Sequence, residues 1–207
     1  MATVKPEENL KLESGWLCLD FANTAEWHLS EHPTERLTSY AELIAWARSI
    51  NLLSDRAAPQ LLRVADQHPS EAARVLDRAV TLREAIYRIF VAVAAGKSPS
   101  TDDQSTLNAE LSRSLSQSRL VWNKANFDWG RDEDDALDQV LWWVLRSATD
   151  LLTSADIKRV GVCADDRGCG WLFYDTSRNR TRQWCSMRGC GNRAKARRHY
   201  EKVKSEK

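Results

Sequence analysis

Apolar residues recur at helical spacing along most of this chain. Tyr40, Leu43, Ile44, Ala47 and Ile50 keep that spacing behind Ser39-x-x-Glu42, a capping box that opens a helix. A shorter helix is predicted over 54–67, ending at His68-Pro69 because proline disfavours helical geometry in the residue before it. Ser70 stands where a cap would start a long helix to about Ala95. Its stripe is Val75, Leu76, Ala79, Leu82, Ile86, Ile89, Phe90 and Val93, and Gly96 is placed to stop it. Thr101-x-x-Gln104 makes a second capping box, ahead of Leu107, Leu111 and Leu115. The period changes over 119–130, where aromatic residues flank Asn123-Lys-Ala-Asn126 and predict a β-hairpin. The acidic run Asp132–Asp135 suits a helix N-terminus. Behind it, Leu137, Val140, Leu141, Val144, Leu145, Ala148, Leu151 and Leu152 form the cleanest amphipathic helix. Near the start, 15–24 (GWLCLDFANT) reads as a buried strand or an extended segment entering a turn.

Charge divides the chain where this pattern stops. The whole carries 30 Lys/Arg and 29 Asp/Glu, but 14 of the basic and only 5 of the acidic residues lie in 158–207. That leaves 16 basic against 24 acidic in 1–157, so a net of +9 follows a net of −8. Residues 153–159 (TSADIKR) form a short polar link at the change of sign. The reading is α+β, mainly α: a helical domain over 1–157 with a few strands, then a small basic module over 158–207. No apolar run approaches the ~20 residues of a membrane span, and the N-terminus lacks the pattern of a secretory signal. A cytoplasmic protein is expected, in which clustered thiols stay reduced and more often hold metal than form disulfides.

Four of the five cysteines fall in that basic module, as Cys163-x5-Cys169 and Cys185-x4-Cys190. Two short-spaced pairs are the pattern of a closed structural site, in which four thiolates surround Zn2+; thiolates alone would suit iron as well. The stretches 159–163 and 170–176 read as strands flanking a tight turn, and 191–204 as a helix. Thiolates from a β-turn and from a helix start can complete a tetrahedron, a treble-clef-like finger of β-hairpin and helix. Cys18 stands apart in an apolar stretch and reads as a small core residue.

The run Cys185-Ser-Met-Arg-Gly-Cys190-Gly-Asn-Arg193-Ala-Lys195-Ala-Arg197-Arg198, behind Trp171-Leu-Phe-Tyr-Asp175-Thr-Ser177-Arg-Asn-Arg180-x-Arg182-x-Trp184, resembles the CGNR zinc finger. Residues 190–193 are its namesake tetrapeptide. Leu19-Asp20-Phe21-Ala22-Asn23-Thr24 resembles the opening motif of the ABATE domain, which commonly precedes that finger, and Leu82-Arg83-Glu84-Ala85-Ile86 is similar to a further segment of it. One departure lies in the first knuckle, where five residues separate the cysteines instead of four. The resemblance implies a stress-induced, DNA-binding transcription regulator of bacteria.

Residue chemistry points the same way. Arg178, Arg180 and Arg182 alternate, so an extended strand would project them from one face. Arg193, Lys195, Arg197 and Arg198 lie on the terminal helix, where arginine can clamp phosphate or pair with guanine in the major groove of duplex DNA. Trp171 and Trp184 either cover the metal or stack on bases. In the first domain, Asp20, Asn23, Arg83 and Glu84 are polar groups in apolar surroundings. They form either a structural Asp–Arg pair with a capping Asn, or a cavity for a small effector with Asn23 and Arg83 beside walls of Trp16, Trp27 or Trp129. Nine tryptophans, seven of them before residue 160, favour such a cavity. No nucleophile elbow or phosphate-cradling loop is present, so no enzyme is expected. Other classes remain open: an RNA-associated or protein-docking zinc module, and association into a homodimer.

Overall fold

The structure, a computed structural model, describes residues 10–131 and 136–205. At its centre lies a six-residue helix, α1 (Leu17–Ala22), with every residue buried. This corrects the strand or extended segment expected over 15–24. A helix enclosed on all sides has no polar face, so its period leaves no trace in the sequence. Around it stand α2 (Tyr40–Ser49), α3 (Ala57–Gln67), α4 (Pro69–Ala94), α5 (Thr101–Ser116) and α6 (Gln139–Thr153); α7 (Asn192–Ser205) closes the chain. Helices α4 and α6 both pack on α1.

The helix starts show where local chemistry was read well and where it was read one or two residues out. Ser39 Oγ accepts the Glu42 N–H at 3.2 Å, as the capping box requires. The Glu42 carboxylate in turn accepts the Thr38 N–H at 2.8 Å. Helix α4 begins at Pro69, with His68 at the cap position, so Ser70 is not its cap. Proline lacks an N–H that the first turn could not have used, and its φ is already helical. Helix α5 is capped by Ser100 and not Thr101: Ser100 Oγ accepts the Asp103 N–H at 3.1 Å and donates to that carboxylate at 2.7 Å. Gly96, at φ 67°, follows the end of α4 in the left-handed region, as expected of a stop. The acidic run Asp132–Asp135 lies outside the described residues.

Three antiparallel pairs complete the described elements. Strands β1 (Ala25–Glu26) and β2 (Thr34–Glu35) form a minimal clip. Strands β3 (Ser118–Trp122) and β4 (Phe127–Arg131) form the expected hairpin, with Leu120 opposite Trp129 and Trp122 opposite Phe127. Strands β5 (Val160–Val162) and β6 (Leu172–Tyr174) form the hairpin of the cysteine module. One continuous core holds Leu19, Phe21, Leu43, Ile44, Leu82, Phe90, Leu141 and Leu145, and also Val160 and Leu172 from the basic module. Burial of each such side chain stabilises by about 1.5–3 kcal/mol. The polar stretch 153–159 ends α6 and winds into a 3-10 turn (Ala155–Arg159) before β5 enters that core. Among the described residues, no helix is long and apolar enough to cross a membrane.

Candidate metal centre

Cys163 directly follows strand β5, and a turn through Asp165–Gly168 brings Cys169 back beside it. Cys190 sits in a π turn (Met187–Gly191) that leads into α7, with Cys185 just ahead of it. The Ser186 hydroxyl accepts the Gly189 N–H at 3.2 Å and holds this second knuckle in shape. The four Sγ atoms lie within 4.8 Å of one another. Cys169 and Cys185 are 3.8 Å apart, and Cys185 and Cys190 3.7 Å. A tetrahedron of sulfurs with metal bonds of about 2.3 Å has edges of about 3.8 Å, so the residues fit Zn2+.

Four clustered thiols cannot all ionise without a cation. Hydrogen bonds from Cys169 and Cys185 hold Cys163 far below the usual thiol value. Those same hydrogen bonds, with its charge adding, in turn push Cys169 and Cys185 up. Burial, with Asp165 adding, pushes Cys190 up to about 12. A divalent metal removes the conflict, because each thiolate then faces positive charge.

The surrounding shell is specific. Arg193 donates to Cys190 Sγ at 2.9 Å and reaches Asp165 at 3.4 Å. Asp165 is buried, which works against its charge, yet the bonds from Arg167 hold its carboxyl well below the usual range. Trp27, Trp171 and Trp184 pack around the sulfurs. The guanidinium carbons of Arg167 and Arg193 lie 5.2 and 5.4 Å from the centre of the Trp27 ring, within cation–π range. Trp27 belongs to the segment after β1, so part of the metal's cover comes from the first domain.

The CGNR zinc finger model matches residues 159–203. The ABATE model, described as "Putative stress-induced transcription regulator", matches residues 15–155. The chain belongs to the ABATE family. Its four clustered cysteines are positioned to bind a metal ion, consistent with the zinc of a CGNR finger. No curated protein matches the chain.

The ABATE domain and the finger are stitched together by groups that the sequence left ambiguous. Asn23 is buried and acts as a strand partner for β6. It accepts the Leu172 N–H at 2.8 Å and donates to the Leu172 carbonyl at 2.9 Å and to Ser14 Oγ at 2.7 Å. Trp171 Nε1 donates to the same Ser14 hydroxyl at 3.0 Å. The Leu29 N–H donates to the Gly168 carbonyl at 3.0 Å. At Gly168, φ is 87° and a Cβ would meet Leu29–Ser30 backbone at 2.5–2.6 Å, so the knuckle tolerates only glycine there. Tyr87 donates to the Gly170 carbonyl at 3.0 Å, with the His28 ring stacked on it at 3.6 Å. His28 meets Glu84 at 3.0 Å, and Glu84 also accepts from Arg83.

The expected effector residues therefore do not share one cavity. Asn23 is spent on the finger, and Arg83 clamps Glu35 with two bonds of 2.6 Å. The expected Asp–Arg pair is absent as well: Asp20 accepts the Glu13 and Ser14 N–H groups at 3.2 Å. Trp16 borders one cleft and Trp129 a separate, smaller one beside Arg146. Sequence reasoning missed Ser14, Trp27 and Tyr87 as partners of the finger. No local signal could have found them, since the groups they meet lie far along the chain.

The basic residues divide in two. Arg178, Arg180, Lys195 and Arg198 are exposed. Arg178 and Arg180 sit in a turn, with Arg180 at φ 52°, so the expected alternating strand is not formed. Arg182 folds inward, donating to the carbonyls of Trp184 at 2.9 Å, of Tyr174 at 3.2 Å and of Cys185. Arg197 pairs with Asp166, and Arg198 lies 5.5 Å over the Trp184 ring. Trp184 thus covers the metal on one side and meets an arginine on the other.

Proposed function

We propose that this ABATE protein is a non-enzymatic, duplex-DNA-binding transcriptional regulator of the cytoplasm, responsive to a small molecule through its first domain. The observation that carries the reading is the exposed basic surface outside the metal shell. Lys195, Arg198 and Lys204 on α7 stand out with Arg178, Arg180 and Arg188 from the neighbouring loops. Helix α7 packs chiefly on its own knuckle, so most of its surface is available to a groove. Between α7 and the first knuckle runs a polar groove of about 230 Å3, bordered by Gln183, Trp184, Arg197 and Arg198 and also by the carboxylates of Asp166 and Glu201.

Anisotropy titration of a labelled mixed-sequence duplex tests this. With four to six phosphates contacted, log K should fall with log salt at a slope of about −4 to −5. Replacing Lys195 and Arg198 together by Ala should weaken binding while zinc is retained. Salt-insensitive binding, or none, would sink the reading. It would leave the second one, an RNA-associated or protein-docking module, which the exposure of Met187, Tyr200 and Val203 beside the basic residues favours.

The reading includes a second copy of the chain. Leu120, Trp122, Phe127 and Trp129 are cross-strand neighbours on one exposed face of the β3–β4 hairpin. At ~150–250 Å2 for a whole aromatic side chain, this face offers on the order of 500 Å2 per copy. Two copies would bury on the order of 1,000 Å2, the floor for a specific interface. A pair would present two α7 helices to one duplex.

A further inference from the structure

We infer that the cleft between α1 and α6 binds a small organic cation with an apolar body, and that its occupancy is felt by the zinc finger. The cleft holds about 270 Å3. Leu10, Leu12, Trp16 and Trp143 form apolar walls, with Ser147 and Asp150 from α6 among them. Ser147 and Asp150 are one turn apart on the helix, so both face the same side. Asp150 is half-exposed, and its nearest cation, Arg146, stays at 3.9 Å. Indole rings and a carboxylate lining one cleft are a chemistry that recognises an ammonium group: the rings attract the cation and the carboxylate completes its charge. An anion would meet Asp150 unfavourably, and a neutral molecule would use only the walls.

The same cleft touches the finger through one short segment. Trp16 meets the Tyr174 ring edge-on with centroids 6.3 Å apart. Two residues earlier, the Ser14 carbonyl accepts the Tyr174 N–H at 2.8 Å, and the Ser14 hydroxyl accepts from Trp171 at 3.0 Å. Gly15 between them has φ 91°, and a Cβ there would stand 3.2 Å from the Tyr174 Cβ. A cation seated on Trp16 therefore loads the segment that holds strand β6 of the finger. This part of the inference rests on the ligand-responsive, DNA-binding reading above; the site itself does not.

Phenethylamine, charged at neutral pH, serves as the probe, with 2-phenylethanol and phenylacetate as neutral and anionic counterparts. Saturation-transfer NMR and calorimetry on the zinc-loaded full chain should show phenethylamine binding and phenylacetate failing to bind. Asp150→Asn should weaken phenethylamine by about three- to tenfold, and Trp143→Leu should weaken it with circular dichroism and zinc content unchanged. Equal binding of the amine and the alcohol, an unchanged Asp150→Asn affinity, or no binding at millimolar amine overturns the site. DNA affinity is then measured with and without amine, and any factor found must reappear in the amine affinity with and without DNA. Amine binding that leaves DNA affinity unchanged overturns the coupling. A chain that fails to bind DNA both with and without amine refutes the proposed function instead, and leaves the site result intact.

Discussion

Cys185 is half-buried while the other three ligands are buried, so it is the thiolate most open to solvent. A closed site has no spare ligand, and losing one opens the tetrahedron whatever its exposure. Cys185→Ser should therefore abolish stoichiometric zinc by metal analysis, whereas Cys18→Ala should keep it. Cys18 is fully buried away from the cluster, and burial pushes its thiol up to about 12, so it stays protonated and unreactive. Arg193→Ala should loosen zinc by about tenfold or more in competition with a chromophoric chelator, since it removes the donor to Cys190. Asp20 makes a separate prediction. Burial raises its pKa from 3.8 to about 6, against the hydrogen bonds from Ser14 and Glu13. The folded state thus binds the proton more tightly than the unfolded one, and stability from this group is lost as pH rises between those values. Above pH 6 the ionised carboxylate costs on the order of 2–3 kcal/mol. Asp20→Asn cannot ionise, so its stability relative to wild type in urea melts should climb by that amount from pH 4 to pH 7. A constant difference would refute the assignment.

Helix starts and the β3–β4 hairpin are the elements on which local rules worked, because their signals are short-range. Ser39 with Glu42 marked one start, and the aromatic run around Asn123 and Asn126 marked the turn. The rules slipped by two residues at α4, where His68 and not Ser70 holds the cap position, and by one at α5, where Ser100 and not Thr101 is the cap. The hairpin's exposed aromatics carry the prediction at this scale. Sedimentation velocity of the full chain should show dimers at micromolar concentration, and Trp122→Glu should return monomers with unchanged zinc content. Trp122 is exposed and packs edge-on against Phe127, centroids 5.2 Å apart, so the substitution leaves the core intact. Monomers in the wild type, or dimers in the variant, would place any contact elsewhere.

At the scale of the whole molecule, metal site and helical domain depend on one another. Asn23→Ala would leave the buried Leu172 N–H and carbonyl unpaired, at a cost of about 2–4 kcal/mol in chemical denaturation. Chelation of zinc should lower the melting temperature of a single cooperative transition, because Val160 and Leu172 share the core of α1 and α4. Two separate transitions in calorimetry, one unmoved by chelator, would contradict that shared core. The sequence by itself determined the helices with one wet face, the hairpins, the four ligands and the basic tail. Each is written in spacing or composition over a few residues, where the physics is local. Tertiary structure alone decided that 15–24 is a helix, that Asn23 serves β6, that Arg83 clamps Glu35, and that Arg182 turns inward while Trp27 covers the metal. Such roles depend on partners distant in sequence: Asn23 meets Leu172 across 149 residues, and Cys18 meets Ser147 across 129. A buried polar group must be paired, but only the folded chain determines with which partner.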